Sequence, residues 1–286
     1  MQPETTAMKS KTLFLLKLLV CITFVSRGYQ HLFFNVPYRE FLWDSNLMLP
    51  ILDLFKISWN EWVTLPRYDQ GIQMGIKFLG LIFTLVGGCV WFLNEKRKWP
   101  LYALIGGLVL FTPYLWLHFF GQFLNLALLF EFTGQLAAPV VLIFIYKKGN
   151  FTKAFTFLKI AIAITFIAHG LYAMNIAPLP QKFVSMTIKG LGLDQGLAVK
   201  FLFWAGVMDL LVAIGVFIPK IRKPALVYMI AWGFLTAFAR IYTNFYGYDA
   251  LHSLHQWVWA FTVRSAHFMI PLILLYQGER KPLPRN

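Results

Sequence analysis

The sequence predicts an all-α integral membrane protein of eight transmembrane helices, arranged as two tandem four-helix up-down bundles in the same orientation. Three observations carry this expectation: an apolar composition, eight apolar stretches of spanning length, and a second half that repeats polar marks of the first. Hydrophobic residues make up 58% of the chain and charged residues 13%, against roughly 45–50% and 25% in soluble domains. Mean hydropathy is +0.62. So few charges could not cover a water-soluble globule of this size. Two cysteines are too few for a disulfide scaffold.

A helix crosses the hydrocarbon core with about 20 apolar residues. Eight segments qualify, at about 12–33, 71–93, 101–120, 126–146, 154–174, 197–218, 224–244 and 255–276. Lys and Arg fix which way they run. Fourteen of the 26 basic residues fall in the N-terminus, the C-terminus and the turns near 96–98, 147–153 and 220–223. The opposite loops hold only Arg39, Lys56, Arg67, Lys182 and Lys189, although they are longer. Excess positive charge marks the cytoplasmic side, so both termini are expected inside. The net charge of +14 is then a topology signal, and its spread over separate turns argues against a nucleic-acid partner. The first span follows lysines as a signal peptide does, but Arg27 interrupts it and no small-x-small cleavage site follows. It is expected to be retained.

The halves share ordered polar matches. Ile22-Thr-Phe-Val-Ser-Arg-Gly28 returns as Ile164-Thr-Phe-Ile-Ala-His-Gly170, and Asp69-Gln-Gly71 with Lys77-Phe-Leu79 as Asp194-Gln-Gly196 with Lys200-Phe-Leu202. Arg97-Lys98 before Pro100 answers Arg222-Lys223 before Pro224, Thr112 answers Thr236, and Pro139 answers Pro271. The expectation is a parallel repeat of two four-span units, 1–148 and 149–286. The longest loop, 34–70, holds Trp43, Trp59, Trp62 and the apolar stretch Asn46–Phe55, which is too short to cross and reads as interfacial or re-entrant.

Two patterns resemble the DoxX-like superfamily of four-span membrane proteins, which includes the DoxD subunit of thiosulfate:quinone oxidoreductase. One is Phe-x-x-x-Gly in the opening span of each half, Phe24 to Gly28 and Phe166 to Gly170. The other is Gly206-x-x-Asp209, then Gly215, Arg222 and Ala225, similar to that family's Gly-x-x-Glu…Gly…Arg-x-x-Ala. Here the acid is Asp, and in the first half Phe83 or Thr84 stands in its place. The resemblance implies an up-down four-helix bundle and, in some members, quinone or sulfur redox chemistry.

Ionisable groups within spans cost roughly 2.5–3.5 kcal/mol at mid-helix and are candidate functional residues by default. Lys17, Lys77, Lys159 and Lys200 lie near span ends and can snorkel. In the first half Arg27 and His31 share one helical face, and with His118 and Glu131 they could form an Arg–carboxylate–His cluster. In the second half Asp209 and His267 lie roughly 18 Å from the outer span ends and Arg264 about 14 Å, with Arg240 and His169 shallower. An Asp209–Arg264 ion pair with His267 on the same face is expected, among aromatic residues suited to a flat ring.

Such pairs also lock helices together without chemistry. Three readings therefore stay open. The resemblance and the charged clusters point to the membrane subunit of a quinone-linked redox system in a bacterial cytoplasmic membrane, as anchor or quinone site, with quinone as ligand. The alternatives are a non-catalytic structural or assembly subunit of an envelope complex, and a small-molecule or proton-linked transporter. The lipid bilayer, with other membrane or envelope subunits, is the expected partner set, and no metal is expected. The chain has no C-x-x-C, Walker A loop, G-x-G-x-x-G or H-E-x-x-H, which argues against dithiol, nucleotide and zincin chemistry.

Overall fold

A computed structural model of the chain describes residues 3–34, 36–94, 96–120, 129–130 and 132–278. The described residues are helical, without a strand. Helix α1 (Pro3–Phe33) leads into three short helices, α2 (Tyr38–Leu42), α3 (Ser45–Leu54) and α4 (Trp59–Thr64). Then come α5 (Pro66–Cys89), α6 (Trp99–Phe120) and α7 (Thr133–Lys148). The second half supplies α8 (Phe151–Ala173), α9 (Gln181–Leu191), α10 (Gln195–Gly215), α11 (Arg222–Tyr242), α12 (Ala250–Thr262) and α13 (Ala266–Gly278).

Six helical stretches are long and apolar enough to cross a bilayer: Ser10–Phe33, Pro66–Phe92, Trp99–Leu117, Phe151–Ala173, Gln195–Gly215 and Arg222–Tyr242. A seventh crossing results if α12 and α13, bent by 48° at a short break, count as one span. The sequence predicts a continuous helix over 255–276; residues 263–265 interrupt it. The segment expected at 126–146 is described continuously only from Phe132, and α7 itself is 16 residues long. These helices expose large apolar side chains, such as Leu81 and Leu85 on α5 and Trp204, Leu211 and Ile214 on α10. In water such faces would aggregate; against lipid tails they are solvated. The chain is an all-α, multi-pass integral membrane protein whose surroundings are the bilayer.

The core is continuous through both halves. Leu16 and Phe24 of α1, Phe83 of α5, Phe111 of α6, Leu142 of α7, Ile162 of α8, Met229 of α11 and Ile270 of α13 belong to one buried cluster. Two close crossings set its geometry. A Cβ on Gly28 would stand 2.7 Å from the Gly80 carbonyl oxygen, so α1 and α5 touch backbone to backbone. The same holds for α8 and α10, where a Cβ on Gly170 would stand 2.8 Å from the Gly206 oxygen. Small residues at such crossings are what membrane helices use where no hydrophobic force drives them together.

The long loop is helical and tied down. Asp44 caps α3 by accepting from Asn46 N at 2.9 Å, and Ser58 with Glu61 forms a capping box on α4. The hydrogen bonds from Ser58 hold the fully exposed Glu61 carboxyl below its usual range. Helix α3 buries Met48 and Leu52 and exposes Leu47, Ile51 and Leu54, apolar side chains suited to an interface with lipid. The Trp62 indole donates to the Leu42 carbonyl at 2.8 Å, and Arg39 pairs with Asp69 at 2.6 Å. Here the matched Asp-Gln-Gly segments part company: Asp194 caps α10 by accepting from Leu197 N at 3.0 Å, whereas Asp69 lies inside the first turn of α5, after Pro66, and holds the loop. Lys17 does more than snorkel. Its ammonium donates to the Leu93 carbonyl at 2.7 Å, to which Tyr146 Oη also donates at 3.0 Å, and so caps the turn that follows α5.

Candidate functional site

The two halves treat their ionisable residues differently. In the first, α1 directs Arg27 inward, where it is 3% exposed. Its Nε and Nη2 donate to Gln135 Oε1 at 3.1 and 2.6 Å, and Nη1 donates to Gln30 Oε1 at 2.7 Å and Tyr114 Oη at 2.8 Å. The guanidinium also lies over the Tyr114 and Phe132 rings, 5.0 and 5.2 Å from their centroids. His31, one turn on, bonds through Nδ1 to the Arg27 carbonyl at 2.6 Å, with Tyr38 Oη 3.3 Å from Nε2. Phe83 packs edge-on to the imidazole. Burial pushes the Tyr38 phenol well above its usual range. The described partners of Arg27 are thus neutral amides and a phenol; Glu131 and the side chain of His118 lie outside the described residues. Gln30, Gln135 and Tyr114 escaped sequence reasoning because a search for charges passes over neutral donors and acceptors. Gln30 was findable, being three residues beyond Arg27 on the same face.

In the second half the corresponding region is a cavity of about 410 Å³. Helix α8 contributes His169, α10 contributes Asp209, α11 contributes Trp232 and Arg240, the break after α12 contributes Arg264, and the first turn of α13 contributes His267. Helix α9, which the sequence leaves as loop, forms a wall through Phe183, Met186 and Thr187. Five of the nine candidate residues therefore meet at one site. His169 stacks on Phe183 with 6.0 Å between ring centroids and meets His267 edge-on at 4.8 Å.

The expected Asp209–Arg264 ion pair is not formed. Arg264 stands in the turn at 263–265, and its Nη1 donates to the Ala260 carbonyl at 3.1 Å. The 48° bend there removes Arg264 from the face that a continuous helix would share with His267. Asp209 is 3% exposed and lines the cavity with Trp232, while its Oδ1 has no hydrogen-bond partner. Arg240 and Arg264 stand elsewhere in the lining, with Lys182 of α9 near them. Arg240 donates through Nη1 to its own Thr236 carbonyl at 3.1 Å. The Lys182 ammonium, 4.5 Å from the Trp257 ring centroid, lies within the fields of both Arg240 and Arg264. Burial first, then these two guanidiniums, pull the Lys182 ammonium down to about 8. Asp209 instead has Trp232 and Tyr228 beside it. The cavity thus has a basic end and a carboxyl end.

The break that shapes this site has a counterpart. Arg264 N bonds to Phe261 O at 3.0 Å and His267 N to Arg264 O at 2.9 Å; in the first half Phe132 N bonds to Leu129 O at 3.2 Å and Gln135 N to Phe132 O at 3.0 Å. Both are three-residue bonds in place of four. Each is followed by a proline, Pro271 or Pro139, which denies a backbone donor to the carbonyl four residues earlier, that of His267 or Gln135. Helix α11 comes close at this point: a Cβ on Gly233 would lie 2.7 Å from the His267 carbonyl oxygen.

The cavity opens sideways. Leu235, Phe238 and Tyr242 line it and are 55, 40 and 60% exposed on the spanning helix α11. A second, shallower hollow continues past Phe238 and Tyr242 to Lys189 and Tyr246. Among the described residues no three His, Cys, Asp or Glu side chains are placed to hold a metal ion. Cys21 and Cys89 are both free thiols. Family models, curated proteins and solved structures give no match to the chain.

Proposed function

We propose that the chain is a quinone-binding membrane subunit of a redox-linked assembly, that its halves are duplicated four-span units with both termini in the cytoplasm of a bacterial cell, and that the second unit carries the ligand. One observation supports this above the others: an aromatic-walled cavity, open toward lipid, has basic groups at one end and, among the described residues, a single carboxyl at the other. A quinone is a flat apolar ring with oxygens at opposite edges, and it reaches its sites through the bilayer. Arg240, Arg264 and the two histidines would hold one oxygen, and Asp209, with an oxygen lacking a partner, would accept from the other in the hydroxylated, reduced form of the ring. Phe183, Phe201 and Trp232 supply ring faces. The bound quinone itself would supply two-electron chemistry; the protein's part is to admit, orient and desolvate it. The resemblance of Gly206-x-x-Asp209 and its surroundings to the DoxX-like pattern points the same way.

A structural role is favoured for the first half, where Arg27 is saturated by Gln30, Gln135 and Tyr114 and the position matching Asp209 is filled by Phe83. The test is saturable quenching of tryptophan fluorescence when short-chain quinones are titrated into the purified protein in nanodiscs. Ala205→Phe, which fills the cavity from α10, should abolish it without lowering the unfolding temperature. Absence of saturable binding, or quenching indifferent to Ala205→Phe, would overturn the proposal.

A further inference from the structure

The wall that α10 gives the cavity is apolar except at one point. Leu202, Ala205, Asp209 and Val212 fall on one buried stripe of that helix, and Asp209 is the one carboxyl among the described lining residues. It stands three residues beyond the crossing at which a Cβ on Gly206 would meet the Gly170 carbonyl oxygen at 2.7 Å, so the backbone that carries it is held in place. The side chain is 3% exposed, and its Oδ1 has no hydrogen-bond partner. The threonine hydroxyls of the lining do not serve it: Thr187 donates to the Phe183 carbonyl and Thr236 to the Trp232 carbonyl, each at 2.9 Å. A buried oxygen left in this way keeps the full cost of leaving water.

We infer that Asp209 makes the cavity selective for the reduced, hydroxylated form of its ring ligand over the quinone of the same skeleton. The ligand class is a dihydroxy aromatic with one hydroxyl directed at Asp209 Oδ1. The inventory of donors and acceptors favours this form whichever protonation state the carboxyl holds. As a carboxylate Asp209 only accepts, so a ring hydroxyl satisfies it and a ring carbonyl opposes it. As a neutral acid it can donate to a carbonyl, but a hydroxyl can both donate to it and accept from it. The hydroxylated ring suits both states and the quinone only one. At the opposite end of the ring the oxygen is an acceptor in either form, so discrimination falls to Asp209. Tenfold tighter binding of the reduced form would raise the two-electron potential of the bound ring by about 30 mV. This inference deepens the quinone reading and rests on it.

The experiment compares two probes under argon on the full chain in nanodiscs of zwitterionic lipid: naphthoquinone, and the dihydroxynaphthalene formed by its two-electron reduction. Calorimetry is expected to show the reduced probe binding about tenfold more tightly, the worth of one hydrogen bond to a buried partner. Asp209→Asn keeps the size of the side chain and offers a donor as well as an acceptor, so it should bring the ratio of the two affinities toward one. Because the ratio is the readout, a general loosening of the cavity cancels. Asp209→Leu, which removes both oxygens from an apolar wall, should also abolish the preference and serves if Asp209→Asn does not fold. Equal affinities, a preference for the quinone, or a ratio that both variants leave unchanged would overturn the selectivity and leave the quinone reading standing. Failure of both probes to bind would overturn both.

Discussion

Gln135→Leu should destabilise the protein more than its chemistry suggests, and Arg27→Met should rescue it. The Gln135 amide oxygen accepts two bonds from Arg27, at 3.1 and 2.6 Å, inside a core where Arg27 is 3% exposed. Leucine matches glutamine in size but accepts nothing. Of its described partners the cation keeps Gln30 and Tyr114, and two of its buried donors lose their acceptor. Hydrogen bonds to charged groups are worth about 1.5–3 kcal/mol, whereas polar contacts between membrane helices average only about 0.6 kcal/mol. Burial and the shared oxygen place Gln135→Leu near 2 kcal/mol by the first scale. Adding Arg27→Met removes the cation itself, whose insertion cost is roughly 2.5–3.5 kcal/mol at mid-helix. Gln30 Oε1 and Tyr114 Oη remain 3.2 Å apart and satisfy each other. The double variant should therefore recover most of the loss, with a coupling energy above about 1 kcal/mol in a double-mutant cycle. The assay is reversible unfolding in mixed micelles, with helical circular dichroism as a check on fold. Additive losses, with the double variant the worst of the set, would refute the view that Arg27 is a satisfied internal staple.

Other outcomes follow from the same geometry. Gly170→Ala places a methyl carbon 2.8 Å from the Gly206 oxygen and should cost about 1–3 kcal/mol by separating α8 from α10; an unchanged unfolding temperature would contradict the close crossing. Gly233→Ala, whose methyl would stand 2.7 Å from the His267 carbonyl oxygen, should weaken ligand binding at least as much as stability, because α11 must retreat from the break. The Lys182 ammonium on α9, pulled down by burial and by the fields of Arg240 and Arg264, should lose its proton as pH rises through about 8 when followed by NMR of the labelled side chain, and Arg240→Gln should raise that midpoint; a midpoint unmoved by Arg240→Gln would contradict the coupling.

Much of the fold was legible because spanning helices announce themselves by length and composition, and six of the expected segments stand as uninterrupted helices within a few residues. The break at 263–265 was not legible: Thr262-Val263-Arg264-Ser265 holds no glycine or proline, and Pro271, the one clue, lies a full turn and more beyond. The assumed continuous helix then put Arg264 and His267 on one face and suggested a pair with Asp209 that the bend forbids. The gathering of His169, Asp209, Arg240, Arg264 and His267 was partly visible from depth, since residues at similar depth in neighbouring spans have few other places to go. Helix α9 was invisible as a wall because eleven residues beginning after two prolines resemble loop, and its contribution depends on how it folds back over α8, α10 and α11.

The matched positions explain why one half is packed and the other open. Three residues beyond the crossing glycines stand Phe83, after Gly80, and Asp209, after Gly206. Arg27 matches His169, and Gln135 matches His267 when each is counted back four residues from its proline. In the first half these positions hold a long cation bonded to an amide and a phenyl ring that fills the remaining space; Phe83 and Tyr114 are wholly buried. In the second half two imidazoles meet edge-on, and the short Asp209 side chain, one face of it claimed by Trp232, leaves room beside the same kind of helix break. An interrupted helix frees backbone groups that must be satisfied somewhere. A half that answers this with its own side chains gains rigidity, and a half that does not keeps space for a guest. If the halves descend from one unit, rigidity in the first is what allows the second to remain hollow without collapse, since the single core through α1, α8 and α13 joins the packed half to the open one.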